Sequence, residues 1–184
     1  MVWNNKCNGY MSDADWKDRN TDETHTTFED SVATVDFYNS PGSFHTMAQK
    51  ANPPVVLNNK YYYSYFINPN ETLEACGAEF AGGAQVSDNQ THLKNTWTRV
   101  SNISYGRRNG TGAMYIPFVW GGRMPENLIA QVKSPLYIDL TLMFGAGNEP
   151  ATVEEFEHLC AINGVDLTKP QAYDEGTERS WIIN

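Results

Sequence analysis

Few residues in the middle of this chain could do acid–base or nucleophilic chemistry. Glycoside hydrolysis needs two carboxylates at a defined separation. Between residues 37 and 137 the acids are sparse: Glu71, Glu74, Glu79, Asp88 and Glu126. No Gly-x-Ser-x-Gly sequence or zinc-protease motif occurs, and the histidines are scattered without metal-ligand spacing: His25, His45, His92 and His158. The sequence therefore gives no support for an enzyme.

The cysteines do not indicate a metal or redox site either. Cys7, Cys76 and Cys160 are odd in number, and their spacings match no zinc or redox motif. We expect free thiols, with Cys76 and Cys160 buried as small apolar residues.

Aromatic side chains suggest a different chemistry, the binding of sugars. Rings stack on the C–H faces of sugars, and planar polar side chains bind the hydroxyls. The segment 60–67, KYYYSYFI, is the clearest strand, and its period of two sends Tyr62 and Phe66 to the face opposite the other tyrosines. We expect these two in a carbohydrate-binding surface with four neighbours: Glu79, Arg99, Trp120 and Arg123. The alternative is that each is structural, with Trp97 and Trp120 in the core.

Charge and hydropathy exclude two classes of partner. The chain of 184 residues has a net charge of −9, although residues 37–137 carry eight basic and five acidic groups. We expect no nucleic-acid binding, because neutralising phosphates needs clustered Lys and Arg, and Arg107-Arg108 is the only adjacent basic pair. No apolar run approaches membrane-spanning length, so we expect no membrane partner.

Short alternating runs separated by turn signals must position these residues. Besides 60–67 we expect strands over 32–38, 44–48, 75–80, 96–103, 113–120 and 136–142, within a total of eight to ten. That pattern predicts a mostly β protein, an antiparallel β-sandwich. One short helix is predicted near the C-terminus: Thr152 and Glu155 form a capping box, and Asn163-Gly164 is a C-cap signal. An extended tail follows.

Four segments in this order resemble the jelly-roll carbohydrate-binding modules of the galactose-binding-like type. They are Phe28-Glu29-Asp30, residues 59–64 (NKYYYS), residues 95–100 (NTWTRV) and residues 137–140 (YIDL). The leading Gly usual in the second segment is missing. The resemblance implies a jelly roll that binds carbohydrate on a concave sheet face or on loops at one edge.

A further run, residues 136–150 (LYIDLTLMFGAGNEP), resembles a segment of bacteriophage and prophage tail and receptor-binding proteins. In those proteins a closing strand leads through a turn into a short helix, and Gln commonly stands where this chain has Leu142. The VEEFE of the following helix also matches. The resemblance implies a virion protein, made in the host cytoplasm.

The jelly-roll resemblance also implies a structural calcium ion. In such modules the ion is held in part by the Glu of the first segment and by an Asp of the closing strand. The matching positions in this chain are Glu29 and Asp139. Carboxylate and carbonyl oxygens suit a hard cation. The alternative is a turn acid at Glu29 and a strand-end acid at Asp139.

The sequence thus predicts an irregular lead-in with at most one short strand over 1–27, a jelly roll over 28–145, and a C-terminal helix and tail over 146–184. The first hypothesis is a non-catalytic module of a phage tail or receptor-binding protein that binds bacterial surface glycan. The second is a capsid- or tail-decoration protein that contacts other virion proteins and has no sugar site. A homotrimer that buries the aromatic face would favour the second. A depolymerase fragment is the third.

Overall fold

Two five-stranded antiparallel sheets form the body of the molecule. The computed structural model describes residues 2–4, 11, 16–18, 25–37, 47–50, 53–80, 84–119, 124–169 and 180–182. Sheet I has the spatial order β10 (Thr98–Tyr105), β7 (Lys60–Pro69), β13 (Ile129–Asp139), β4 (Val32–Asp36), β3 (His25–Glu29). Sheet II has the order β2 (Trp16–Asp18), β5 (Met47–Gln49), β12 (Tyr115–Phe118), β8 (Gly77–Phe80), β9 (Ala84–Ser87).

Smaller elements complete the described part of the chain. β1 (Val2–Asn4) pairs with β14 (Ser180–Ile182), and β6 (Pro54–Val55) pairs with β11 (Gly110–Thr111), both antiparallel. The helices are α1 (Leu140–Phe144) and α2 (Val153–Ile162). The antiparallel β-sandwich with a short C-terminal helix is confirmed. No helix among the described residues has the length and apolarity needed to cross a bilayer.

The main core lies between the sheets, and β7 supplies its largest side chains. Tyr61, Tyr63, Tyr65 and Ile67 point inward and are fully buried. Their partners include Val35 and small or aliphatic residues of both sheets. The alternation predicted for KYYYSYFI is therefore confirmed, since these residues need a pleated backbone that sends every second ring to one side.

Each of these tyrosines buries a hydroxyl group, which must find a partner. The Tyr63 hydroxyl donates to the Val86 carbonyl at 3.0 Å, and the Tyr65 hydroxyl donates to the Gly77 carbonyl. Both acceptors belong to sheet II. The Tyr61 hydroxyl accepts from the Val56 amide at 2.9 Å. The rings therefore fix both the spacing and the position of the facing sheet.

A bulge divides β13 into two halves. Lys133 is opposite Phe66 of β7, and Leu136 is opposite Ser64, so two residues of β13 face one residue of β7. Ser134 has a φ of 51°, in the left-handed region. The extra residue reverses the alternation, so that Val132 before it and Tyr137 after it both reach the main core.

α2 covers part of the outer surface of sheet I, the surface that faces away from sheet II. A second apolar cluster fills the contact, with these buried members: Tyr62, Leu136, Ile138, Leu140, Met143, Phe156, Cys160, Val165 and Leu167. The rings of Tyr62 and Phe156 lie 4.7 Å apart between centroids. Sheet I is thus buried on both surfaces at this end, by sheet II and by the helix.

The predicted ends of α2 are confirmed. The Thr152 hydroxyl accepts from the Glu155 amide at 3.2 Å, and the Glu155 carboxylate accepts from the Ala151 amide at 2.6 Å. At the other end Gly164 has a φ of 84°, and the Val165 amide donates to the Cys160 carbonyl at 2.9 Å. These are the bonds of a Schellman cap, which turns the chain back toward the sheet.

Three expectations about strands need correction. The lead-in over 1–27 contains β1, β2 and the start of β3, and Trp16 of β2 is buried in the main core. The tail contributes β14. The strand expected over 136–142 begins at Ile129 and ends at Asp139, because the Asp139 carboxylate caps α1 by accepting from the Leu142 amide at 2.9 Å.

Gly77→Ala is expected to destabilise the protein by about 2–3 kcal/mol, the cost of overpacking. A Cβ at Gly77 would lie 1.9 Å from the Val86 carbonyl oxygen, so β9 would have to move away from β8. Gly147→Ala is the comparison, because a Cβ there meets no atom within 4 Å and costs only about 1 kcal/mol for its positive φ. Equal losses in denaturant unfolding would contradict this packing.

Alkaline pH is expected to unfold the protein through its buried tyrosines. Burial raises the pKa of Tyr61 to about 12 and the pKa values of Tyr62, Tyr63 and Tyr65 well above their usual value. Unfolded tyrosine ionises near pH 10, so the stabilisation is complete below about pH 10 and is lost as the pH rises through 12. Tyrosinate absorbance of these four should therefore appear together with loss of the β-sheet circular dichroism. Ionisation of all the tyrosines in a protein that stays folded would contradict this.

Candidate functional site

The residues expected at a sugar site do not share one surface. Tyr62, Phe66 and Arg99 lie on the outer surface of sheet I. Glu79 belongs to β8 of sheet II, next to the buried Ala78, so alternation places it on the far side of the sandwich. Trp120 and Arg123 lie outside the described residues. The structure therefore brings together three of the six.

Tyr62 and Arg99 are occupied by the helix. Tyr62 is fully buried, and its hydroxyl donates to the Glu157 carboxylate at 3.0 Å. Arg99 pairs with Glu157 through both arms of its guanidinium, Nη1 to Oε1 and Nη2 to Oε2, the latter at 2.6 Å. Nη1 also donates to the Leu167 carbonyl at 3.2 Å. In this geometry Tyr62 presents no surface to a ligand, and the Arg99 charge is neutralised.

The Arg99–Glu157 pair is mostly shielded from water. The Arg99 and Glu157 side chains are 18% and 14% exposed. Burial lowers the pKa of Arg99, but the hydrogen bonds and charge of Glu157 outweigh it and hold that pKa above its usual value. The pair fixes α2 to β10, because separating it would leave a half-buried charge without a counterion.

Beyond α2, part of the outer surface of sheet I is uncovered. We call it the open face and define it by five residues: Phe66, which is buried at its border, the partly exposed Asn68, Gln131 and Lys133, and the exposed Trp97. The register of β7 against β13 puts Phe66 beside Lys133 and Asn68 beside Gln131. The Lys133 ammonium lies 3.8 Å from the centroid of the Trp97 ring, and the Asn68 amide donates to the Gln131 Oε1 at 3.1 Å. Trp97 is 37% exposed.

The loop that carries Trp97 is held by a buried histidine. His92 pairs with Leu73 through backbone hydrogen bonds of 2.8 and 2.9 Å. Its ring lies between Asp88, with Nε2 at 2.9 Å from Oδ2, and Thr98, with Nδ1 at 2.6 Å from Oγ1. The histidine and aspartate side chains are buried. Since Thr98 follows Trp97 directly, this network fixes the indole at the start of β10.

The pair of carboxylates expected at a calcium site does not fit one ion. Glu29 is exposed, and through Val32 it is level with Lys133 of β13. Asp139 lies six residues further along β13, which places the two roughly 20 Å apart. The Asp139 carboxylate already accepts from the Asn59 amide at 3.1 and 3.2 Å and from the Leu142 amide. No cluster of three His, Cys, Asp or Glu occurs in the described part of the chain.

Sequence reasoning missed the most accessible members of the open face. It named Trp97 only as a core residue, in the alternative reading, and it did not consider Asn68, Gln131 or Lys133 for the site. The alternation of NTWTRV contained the signal, because Val100 points into the core and Trp97 is then on the other face, with Arg99. The first half of β13 was also missed, because Ser134-Pro135 interrupts the strand after the short alternation of residues 130–133.

Comparison with known proteins gives a likeness of fold only. No protein-family model matches the chain, and no curated protein matches it in sequence. An arabinose-bound GH51 α-L-arabinofuranosidase superposes with a TM-score of 0.54 at 8% identity, over 89% of this chain and 30% of that one. The chain thus spans less than a third of that protein.

Two smaller domains superpose less closely. The CBM22-2 xylan-binding domain of Paenibacillus barcinonensis Xyn10C gives a TM-score of 0.47 at 12% identity, over 74% of this chain and 98% of that one. The N-terminal cellulose-binding domain of Cellulomonas fimi β-1,4-glucanase C gives 0.47 at 10% identity, over 70% and 91%.

Glu157→Ala is expected to destabilise the protein by about 3 kcal/mol, because it leaves the Arg99 guanidinium half-buried without its counterion. Glu154→Ala on the same helix is the matched control. Its side chain is fully exposed near the N-terminus of α2, so the expected loss is much smaller than that of Glu157→Ala. The double variant Arg99→Met/Glu157→Met should recover much of the loss. Chemical denaturation measures the free energy of unfolding of all three variants. Similar losses for Glu157→Ala and Glu154→Ala would contradict the role of the Arg99–Glu157 pair in fixing α2.

Proposed function

We propose that this chain is a non-catalytic glycan-binding module of a phage virion appendage, and that it attaches the virion to bacterial surface polysaccharide. The observation that carries the proposal is the exposed indole of Trp97 on a sheet face that also carries amide side chains. No bond is made or broken in the proposed function. The open face, rather than Tyr62 and Arg99, is the proposed contact surface.

The chemistry of the open face suits a sugar polymer. An aromatic ring packs against the apolar C–H face of a pyranose, and planar amides bind hydroxyls in fixed directions. Trp97 supplies the ring, and Gln131 supplies an amide that Asn68 of the adjacent strand orients by donating to its Oε1 at 3.1 Å. Most large aromatic side chains of the described residues are buried; the exposed ones are Trp97 and Tyr105, and of these two Trp97 lies beside the amide of Gln131 and the ammonium of Lys133.

The rigidity of the site also supports binding. The strands β7 and β13 fix the two amides, and the His92 network fixes the start of β10. A ligand therefore orders little of the protein when it binds, which lowers the entropic cost. Affinity for each copy would be modest, and display of several copies on one particle would multiply it.

The phage context of the proposal rests on the resemblance of residues 136–150. In the structure this segment joins sheet I to α2. The Thr141 hydroxyl donates to the Glu149 carboxylate at 2.6 Å, and the Lys60 ammonium donates to the Pro150 carbonyl at 2.9 Å. These contacts give the segment a structural role that is separate from the open face, so a shared segment is compatible with different ligands in different tail proteins.

Trp97→Ala is expected to weaken binding to the recognised polysaccharide at least about tenfold, the effect of losing one well-placed aromatic contact. Trp97→Phe should keep part of the affinity. Tyr105→Ala is the matched control, because Tyr105 is also an exposed aromatic residue but ends β10, whereas Trp97 directly precedes its first residue. A glycan array followed by titration calorimetry measures the effect. Unchanged binding by Trp97→Ala would remove the proposed site.

A further inference from the structure

We infer that the glycan recognised by the open face carries anionic groups, and that Lys133 binds them. This inference rests on the proposed glycan-binding function. The shared chemistry is a negatively charged oxygen on a sugar polymer, either the carboxylate of a uronic acid or the phosphate of a polyol-phosphate chain. The three observations that support it concern the position of the Lys133 ammonium, its charge balance and the hydrogen-bond donors around it.

The Lys133 ammonium is held over the indole. Lys133 belongs to β13 and Trp97 precedes β10, and β7 lies between these two strands. The side chain therefore crosses β7, beside Phe66, to reach 3.8 Å from the Trp97 ring centroid. At that distance the cation is attracted by the ring quadrupole, which fixes its place on the open face.

The charge of Lys133 is not balanced by a neighbouring acid. Two other cations are paired with acids, Lys94 with Glu71 at 3.0 Å and Arg99 with Glu157, whereas Lys60, at the far end of β7, donates to the Pro150 carbonyl at 2.9 Å. For Lys133, no carboxylate of the described ranges lies within ion-pair distance. The acids of the same surface, Glu29 on β3 and Asp36 on β4, lie on the other side of β13 from Trp97, and the lysine leans away from them toward the indole.

The arrangement disfavours a neutral ligand. The ammonium covers part of the indole face on which a neutral pyranose would stack, so such a sugar would have to displace it. An anionic sugar can accept a charge-assisted hydrogen bond from the ammonium while its ring packs on the rest of Trp97. Gln131 adds donors, because its Oε1 already accepts from Asn68 and its own N–H groups are left to donate.

Affinity measurements with polymers of defined charge test the inference. The full chain is titrated with polygalacturonate, with a wall teichoic acid and with neutral xylan, each at low and high salt. We expect at least one acidic polymer to bind at least about tenfold more tightly than xylan, and that difference to shrink at high salt. The acidic polymer that binds distinguishes carboxylate from phosphate.

Variants assign the effect to the lysine. Lys133→Met keeps the aliphatic stem and should lose acidic-polymer binding about tenfold, whereas Lys133→Arg should keep it. Lys94→Met is the matched control, because Lys94 is an exposed lysine of the same edge whose charge is paired. Thermal unfolding of each variant should remain close to that of the native protein, since Lys133 is not in either apolar cluster.

The outcomes separate this inference from the proposed function. Equal binding of acidic and neutral polymers, or unchanged binding by Lys133→Met, would overturn the anionic preference and leave glycan binding in place. If xylan were the preferred ligand and Trp97→Ala lost that binding, the anionic preference would likewise be overturned and glycan binding at the open face kept. Failure of every polymer to bind, in this set and on the glycan array, would overturn both.

Discussion

The structure depends on the need of buried tyrosine hydroxyls for hydrogen-bond partners. Strand β7 buries four tyrosines within five residues, and each hydroxyl is bonded to a different neighbouring segment. Tyr63 and Tyr65 bond to sheet II, Tyr62 bonds to Glu157 of α2, and Tyr61 bonds to the segment before β7. Apolar packing alone would tolerate small shifts between layers, but a buried hydroxyl with fixed geometry does not. One strand therefore sets the positions of the layers on both of its sides.

The same surface of sheet I serves packing at one end and exposes a polar and aromatic face at the other. Phe66 marks the border, because the register places Arg99 on one side of it and Lys133 on the other. The two cations have opposite surroundings. Glu157 neutralises Arg99 beneath the helix, whereas Lys133 rests on an aromatic ring and keeps its charge. The helix thus decides which cation of the sheet remains available to a ligand.

Elements with a strong local pattern could be predicted from the sequence. Residues whose position depends on a bulge or on a partner far along the chain could not. The rings of 60–67 and the caps of α2 carry their own signals, and both are where the sequence put them. The first half of β13 was missed because Ser134-Pro135 resembles a break rather than a bulge. Arg99 was correctly placed on a face with Tyr62, but its partner Glu157 lies 58 residues away, and no spacing rule connects them.

The bulge at Ser134 makes the number of residues between Lys133 and Leu136 more important than their identity. Before it, odd-numbered residues of β13 lie on the outer surface, and after it even-numbered residues do. Loss of one residue here would turn Leu136 and Ile138 toward sheet II and send Tyr137 under the helix. Substitutions at Gln131 or Lys133 do not change which residues of β13 face outward. A point mutation before the bulge can thus change the ligand preference of β13 without disturbing the half after the bulge, which packs under α2. A deletion at the bulge would disturb both halves at once.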